Sequence, residues 1–217
     1  MADESEALSR TRTSYDAVAR EYAARIADEL AGKPMDRALL ICLVEEVGAL
    51  GPIADVGCGP GHVARYLRER GADALGIDLS PEMVAVAREL NPGIRFEQGS
   101  MLALDAPDAA WGGIAAFYSI IHLPPAARPR ALAEFFRVLR PGGGRLLAFH
   151  VGEERRHLDE WWELPVSLDF YFLQPEEVRA LLEAAGFVVE ATLVRRPYAP
   201  SVEHQSARAD RRARKPA

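Results

Sequence analysis

The hydrophobic pattern divides the chain into two stretches of different texture. Over 15–30, Tyr15, Val18, Ala19, Tyr22, Ile26 and Leu30 recur at helical spacing, and Gly32 and Pro34 stop the run. A second amphipathic helix is predicted over 36–47, with Leu39, Leu40, Leu43, Val44 and Val47 on its apolar face and Gly48 and Gly51 beyond it. From Ile53 short apolar runs alternate with helical stretches. Strands are predicted at 53–56, 74–77, 94–97, 114–118, 145–150 and 187–194. Helices are predicted at 62–70, after Ser80, at 129–139 and at 175–185. Ser80 suits an N-cap, Pro81 the first helical position and Glu82 the positive end of the helix dipole. This β-α-β-α order predicts an α/β domain, a parallel sheet with helices on both faces. The stretch 153–172 reads as a charged, aromatic insertion, and from 197 onward the chain is basic and poor in large apolar residues. Pro141-Gly142-Gly143-Gly144 reads as a turn from helix to strand.

Candidate chemistry enters where the first strand hands over to the first helix of the alternating region. Asp55-Val56-Gly57-Cys58-Gly59-Pro60-Gly61 places three glycines where the backbone must turn sharply and a ligand can approach without meeting a Cβ. A nicotinamide dinucleotide fingerprint needs a glycine where this chain has His62, which disfavours an oxidoreductase. Asp78 closes the second strand twenty-one positions after Gly57. Alone it reads as a helix cap; beside the glycine loop it can accept bonds from both ribose hydroxyls of an adenosine.

Taken together, Asp55–Gly61, Gly76-Ile77-Asp78-Leu79-Ser80 and Leu139-Arg140-Pro141-Gly142-Gly143 resemble, in order, three motifs of the class I S-adenosylmethionine-dependent methyltransferases. The likeness covers roughly 12–195. It implies a Rossmann-like doubly wound sheet, mostly parallel, of seven strands with the last antiparallel, and S-adenosylmethionine as cofactor. It implies cofactor contacts from Tyr15 and Tyr22 on an N-terminal helix, from Asp55, Gly57, Gly59 and Gly61 in the loop, and from Asp78, Leu79, Met83, Ser100, Met101, Leu102 and Tyr118. Two departures stand out. The family's acidic residue after the third strand is replaced by Gly99-Ser100-Met101, and the only candidate seventh strand, 207–213, keeps nothing apolar but alternating alanines. The expected organisation is an N-terminal helical cap over the cofactor at 1–35, a core at 36–196 carrying the insertion, and a basic tail or weak edge strand at 197–217.

Methyl transfer is an in-line displacement, so the protein mainly aligns the reacting atoms, and a base is needed only for a protonated nucleophile. Ligands of an open α/β sheet lie beyond the carboxyl ends of the strands. His122 is therefore the first candidate base and His150 the second, each weighed against a role in fixing its loop. Trp161, Trp162, Phe170, Tyr171 and Phe172 read either as a cover over the sheet or as a wall for an aromatic or apolar acceptor. After the fourth strand, Ser119-Ile120-Ile121-His122 replaces the Asn/Asp-Pro-Pro-Tyr/Phe of enzymes acting on nitrogens in nucleic acid or protein. The expected partner is a small-molecule acceptor methylated on oxygen or nitrogen, in bacterial specialised metabolism. The alternative is a non-catalytic cofactor-binding module or a partner subunit of another methyltransferase.

Composition narrows this little further. A net charge of −6 argues against a nucleic-acid partner. Cys42 and Cys58 make neither a disulfide framework nor a metal spacing, so no metal is expected. An acidic N-terminus and the lack of a long apolar run predict neither signal peptide nor membrane span, hence a cytoplasmic location.

Overall fold

The computed structural model describes residues 2–217; Met1, the first residue of the expected cap, lies outside them. The elements in chain order are α1 (Ala2–Ile26), α2 (Pro34–Val47), β1 (Ile53–Val56), α3 (His62–Glu69), β2 (Ala74–Asp78), α4 (Pro81–Leu90), β3 (Arg95–Gln98), β4 (Trp111–Phe117), α5 (Arg128–Val138), β5 (Leu139–His150), β6 (Arg155–Trp161), β7 (Leu164–Tyr171), α6 (Pro175–Ala184), β8 (Val188–Arg195) and β9 (Arg208–Arg214). Seven strands form one sheet in the order β3-β2-β1-β4-β5-β9-β8. The first five run parallel, and β9 runs antiparallel to both β5 and β8. Its two faces are covered differently. Ala54, Ile114, Leu147 and Phe149 pack with Leu132, Phe135, Val178 and Leu182 of α5 and α6. On the opposite face Ile53, Ala115 and Leu146 pack with Leu40, Leu43, Val63 and Leu67 of α2 and α3. Among the described residues no helix is long and apolar enough to cross a membrane.

The structure corrects the expected tail. Arg208–Arg214 is an interior strand, with Leu146 facing Arg212 on one side and Thr192 facing Arg211 on the other. Alternation still holds: Ala209 and Ala213 face the α5–α6 side, fully buried, while Asp210 and Arg212 point the other way. The strand was hidden because its buried positions carry charges that acquire partners only in the fold. Arg211 donates to Thr192 Oγ1 and to the carbonyl of Pro175. Glu203, in the loop before β9, binds Arg195 at 2.6 Å, and Arg195 in turn binds Asp36 of α2 at 2.9 Å.

Two other expectations change. The insertion is a hairpin, β6–β7, and the glycine run is not a separate turn but the start of β5, where Gly142 N–H and Gly143 C=O pair with Lys215. Helix α1 begins thirteen residues before the expected position, at Ala2. It lies between α4 and the hairpin: Val18 and Ala19 pack with Met83, Trp161 and Leu164, and Ser14 Oγ accepts the N–H of Ser167.

Asp210 is the strained member of the buried charge cluster. Neither carboxylate oxygen has a protein donor, and burial, reinforced by Asp36, pushes its pKa up to about 7 against Arg195 and Arg208. A carboxyl that stays protonated in the fold but ionises near ~4 when unfolded costs stability as pH rises from ~4 to about 7. Asp210→Asn is therefore expected to stabilise the fold by about 1–3 kcal/mol at pH 8, the cost of an unsatisfied buried polar group, and to give no gain near pH 4. Urea melts at the two pH values check this; an equal change at both would remove ionisation as the cause.

Candidate active site

The carboxyl ends of β1, β2 and β4 open onto a cavity of about 720 Å³ including its mouth. Gly57, Gly59 and Gly61 turn the chain from β1 into α3, all with positive φ. At Gly57, with φ +79°, an added Cβ would also lie 2.3 Å from Cβ of Ser119. The Gly59 N–H donates to Asp78 Oδ2 at 2.8 Å and the Ser80 N–H to Oδ1 at 2.9 Å. Burial pushes the Asp78 pKa up to about 6, against the backbone N–H groups of Ser80 and Gly59 that favour the anion. Each carboxylate oxygen keeps a lone pair for a further donor.

Nine of the expected cofactor residues line this cavity: Tyr15, Tyr22, Gly57, Gly59, Asp78, Leu79, Ser100, Met101 and Tyr118. The other four do not. Asp55 is 1% exposed and its carboxylate accepts the N–H of Ala64, so it caps α3. Gly61 is packed against Phe96 and Asn91, Met83 against α1, and Leu102 against Leu123 and Ala127. Their roles are to shape the loop and its support. Ser80 does cap α4, accepting the Met83 N–H at 3.1 Å, and its hydroxyl donates to Asp16 of α1, which fastens the helix over the cavity.

These residues fit S-adenosylmethionine. A carboxylate with free acceptor capacity sits at the end of β2 for a ribose diol, and the glycine loop exposes backbone rather than side chain at Gly59, where Tyr22 stands 3.6 Å from the position of a Cβ. Where the family has an acidic residue, Ser100 Oγ is engaged with the Leu102 N–H at 3.2 Å and retains one acceptor direction.

A second cavity, of about 1200 Å³ including its mouth, adjoins the first. Tyr15, Tyr22, Tyr118 and His122 line both. The hairpin supplies its apolar wall: Trp161 and Trp162 stack at 4.5 Å, and Trp161 meets Tyr15, Tyr22 and Phe170 edge to face. Lys33, Glu203 and Arg208 form a polar end, with Lys33 and Arg208 lying 5.3 and 4.7 Å over the Tyr118 ring. Tyr118 itself has φ +53°, a left-handed conformation that aims its ring between the two cavities.

The two histidines differ. His122 is held by both ring nitrogens: Nδ1 lies 2.9 Å from the backbone carbonyl of Asp169, and Nε2 lies 2.7 Å from the Tyr15 hydroxyl. A carbonyl only accepts, so Nδ1 carries the proton. In the neutral ring Nε2 then accepts from Tyr15. Burial lowers the His122 pKa to about 4, although the Asp169 carbonyl favours the cation. His150 lines only the second cavity. Burial and then the Arg208 guanidinium, 3.0 Å from Nδ1, press its pKa down to about 2. Burial and a fixed cation beside the ring both oppose protonation, which weighs against its use as a base. His157 lines neither cavity and pairs with the Asp169 carboxylate. Asp169, Lys33, Glu203 and Arg208 were not foreseen. Asp169 acts on His122 through its carbonyl, which no sequence pattern marks, and Glu203 and Arg208 lie in the expected tail or weak edge strand.

Comparison with known proteins gives the same answer as the geometry. The family described as "Methyltransferase domain" matches residues 53–143. A demethylmenaquinone methyltransferase of Thermus thermophilus is 30% identical over 171 residues, covering 65% of this chain and 76% of that protein. A malonyl-[acyl-carrier protein] O-methyltransferase of Serratia marcescens is 31% identical over 160 residues, covering 72% of this chain and 56% of that protein. The chain spans about half the length of the malonyl-[acyl-carrier protein] relatives it matches first. Among solved structures, a SAM-dependent methyltransferase of Methanosarcina mazei shares the fold with a TM-score of 0.71 at 18% identity, covering 81% of this chain and 97% of that one. A glycine loop and the carboxylate of Asp78 at the end of β2 on a 3-2-1-4-5-7-6 sheet, together with these sequence likenesses, make this chain a member of the class I S-adenosylmethionine-dependent methyltransferase family.

Proposed function

We propose that the chain catalyses methyl transfer from S-adenosylmethionine to an oxygen or nitrogen of a small, largely apolar or aromatic acceptor. The observation that carries this reading is the junction of the two cavities at Tyr15, Tyr22, Tyr118 and His122. Bound over the glycine loop, the cofactor supplies an electrophilic methyl group on a sulfonium. Asp78 would hold the ribose, and Tyr15 and Tyr22 would put aromatic rings beside the cationic end. Trp161, Trp162, Phe170 and Phe172 would orient the acceptor and keep water from the reacting atoms. Its relatives' named acceptors, a malonyl group on a carrier protein and demethylmenaquinone, support a bacterial metabolite without choosing one. The non-catalytic module is the weaker reading, because a module has no use for an open second cavity next to the methyl position.

Turnover of methyl-labelled cofactor against a panel of phenols, amines and carboxylic acids is the test. Saturable cofactor binding with no transfer to any acceptor, and a second cavity that binds none of them, would favour the module. Trp162→Ala removes an apolar surface worth about 1.5–3 kcal/mol when buried. It is expected to raise the acceptor KM about tenfold or more while leaving cofactor affinity unchanged. A KM that stays put would move the acceptor away from the hairpin.

A further inference from the structure

We infer that Tyr15 and His122 form a proton relay in which the Tyr15 phenol oxygen takes the proton of a protic acceptor group while its own proton passes to Nε2 of His122. The inference rests on the methyltransferase reading above and names which chemical class of acceptor the site serves: an O–H or N–H group still protonated when it binds.

Three elements build the relay. Helix α1 brings Tyr15, the short helical turn Ile120–His122 after β4 brings the imidazole, and β7 supplies the carbonyl of Asp169. The hydroxyl lies 2.7 Å from Nε2, and Nδ1 lies 2.9 Å from that carbonyl. The Nε2 lone pair is thus taken by the Tyr15 hydrogen, and an acceptor cannot reach it without displacing the phenol. Tyr15 lines both cavities, and its phenol oxygen, while donating to Nε2, keeps lone pairs for a further donor. Phe170 packs edge to face on the His122 ring at 4.8 Å, and both ring nitrogens are already engaged.

Every bond is accounted for. The acceptor atom forms its bond to the methyl carbon as the carbon–sulfur bond breaks and its electron pair stays on sulfur. The acceptor's hydrogen moves to the Tyr15 oxygen, the Tyr15 hydrogen moves to Nε2, and His122 becomes an imidazolium still bonded through Nδ1–H to Asp169. One positive charge leaves sulfur and one appears on His122, so the buried site keeps its charge throughout. Burial alone makes the free ring a poor base, and the step adds no second cation beside the sulfonium, because the charge on sulfur is lost as His122 gains its own. The groups facing the pair are few. Tyr22 from α1 and Asp78 from β2 face Tyr15; His150 from β5 and Asp169 from β7 face His122. The Asp169 carboxylate is itself held by Arg155 and His157, with Arg10 at 3.7 Å.

Nitrogen-15 NMR of the full chain reads the relay without an acceptor. At neutral pH His122 is expected to show a protonated Nδ1 and a bare, hydrogen-bonded Nε2 whose resonance moves in Tyr15→Phe. His122 is also expected to titrate at a higher pH with S-adenosylhomocysteine bound than with S-adenosylmethionine, since only the latter carries the sulfonium. A proton on Nε2, or one titration curve for both ligands, overturns the relay. With the acceptor found in the panel, Tyr15→Phe and His122→Asn are each expected to lower kcat about 10²–10⁴-fold with cofactor affinity unchanged. The double variant should be no worse than the poorer single one, because the pair acts as a unit. Losses that multiply, or a loss of cofactor affinity with kcat intact in Tyr15→Phe, would reduce the bond to a fastening for α1. Failure of the wild type to bind S-adenosylmethionine by calorimetry would instead strike the underlying reading.

Discussion

A chain ending at Ala199 is expected to lose the fold, with no cooperative thermal transition and a collapsed near-ultraviolet dichroism spectrum. Truncation there removes β9, which is paired along its whole length to β5 and β8. Its loss leaves two open strand edges facing each other and strips the sheet of Ala209 and Ala213. It also removes Glu203, whose side chain is 1% exposed and lies 2.6 Å from Arg195 and 3.9 Å from Lys33. Leaving buried charges without their partner costs about 3–5 kcal/mol. Added to the lost strand, that exceeds the roughly 5–15 kcal/mol by which a domain is stable. Glu203→Ala isolates the electrostatic part and is expected to lower stability by about 3–5 kcal/mol in a denaturant melt. A truncated chain that melts cooperatively within a few degrees of the full one would show that β9 merely decorates a self-sufficient sheet.

Asp78→Ala is expected to weaken S-adenosylmethionine binding by about 1.5–3 kcal/mol, the worth of hydrogen bonds to a charged group. The carboxylate holds the Gly59 and Ser80 N–H groups in place, and under the proposed reading it would also accept from a ribose diol. Asp78→Asn separates them, because an amide oxygen can still serve one backbone donor. Ionisation adds a pH signature. In the ligand-free fold the Asp78 pKa lies at about 6, above the unfolded value, and ribose hydroxyls donate best to the anion. Affinity should therefore be full above pH 6 and fall as pH drops through it, up to tenfold per unit, whereas Asp78→Asn should bind weakly without that dependence. Calorimetry between pH 5 and 8 decides it. A wild-type affinity flat across that range would remove the charged carboxylate from the ribose.

The two strongest expectations thus come from opposite sources. The place of Asp78 in the cavity lining was legible because it follows from a local rule: the end of a second strand after a glycine turn opens onto the crevice at the carboxyl end of the sheet. The same holds for Gly57 and Gly59, and for the Ser80 cap. Asp55 and Gly61 belong to the same motif, yet they hold α3 rather than line the cavity. Motif membership fixes where a residue stands along the chain and leaves open which neighbour its side chain meets. His150 makes the point again. Its place at the end of β5 suggested a base, whereas burial and then a guanidinium from β9, 58 residues later, lower its pKa.

Sequence alone determined the order of β1 to β5 with their helices, the cofactor loop and its acidic partner, because those depend on periodicity and turn chemistry within a few residues. Tertiary structure alone decided the rest. The segment 208–214 carries no large apolar residue, so only its pairing with β5 and β8 makes it a strand, supported by contacts of Arg208 with Glu203 and of Arg211 with Thr192. Likewise the hairpin's aromatic wall, the Tyr15–His122 bond across 107 positions and the Asp169 carbonyl behind it exist only where three elements converge. Periodicity records which face of an element is buried. It does not record what that face is buried against, and a site is made of those pairings.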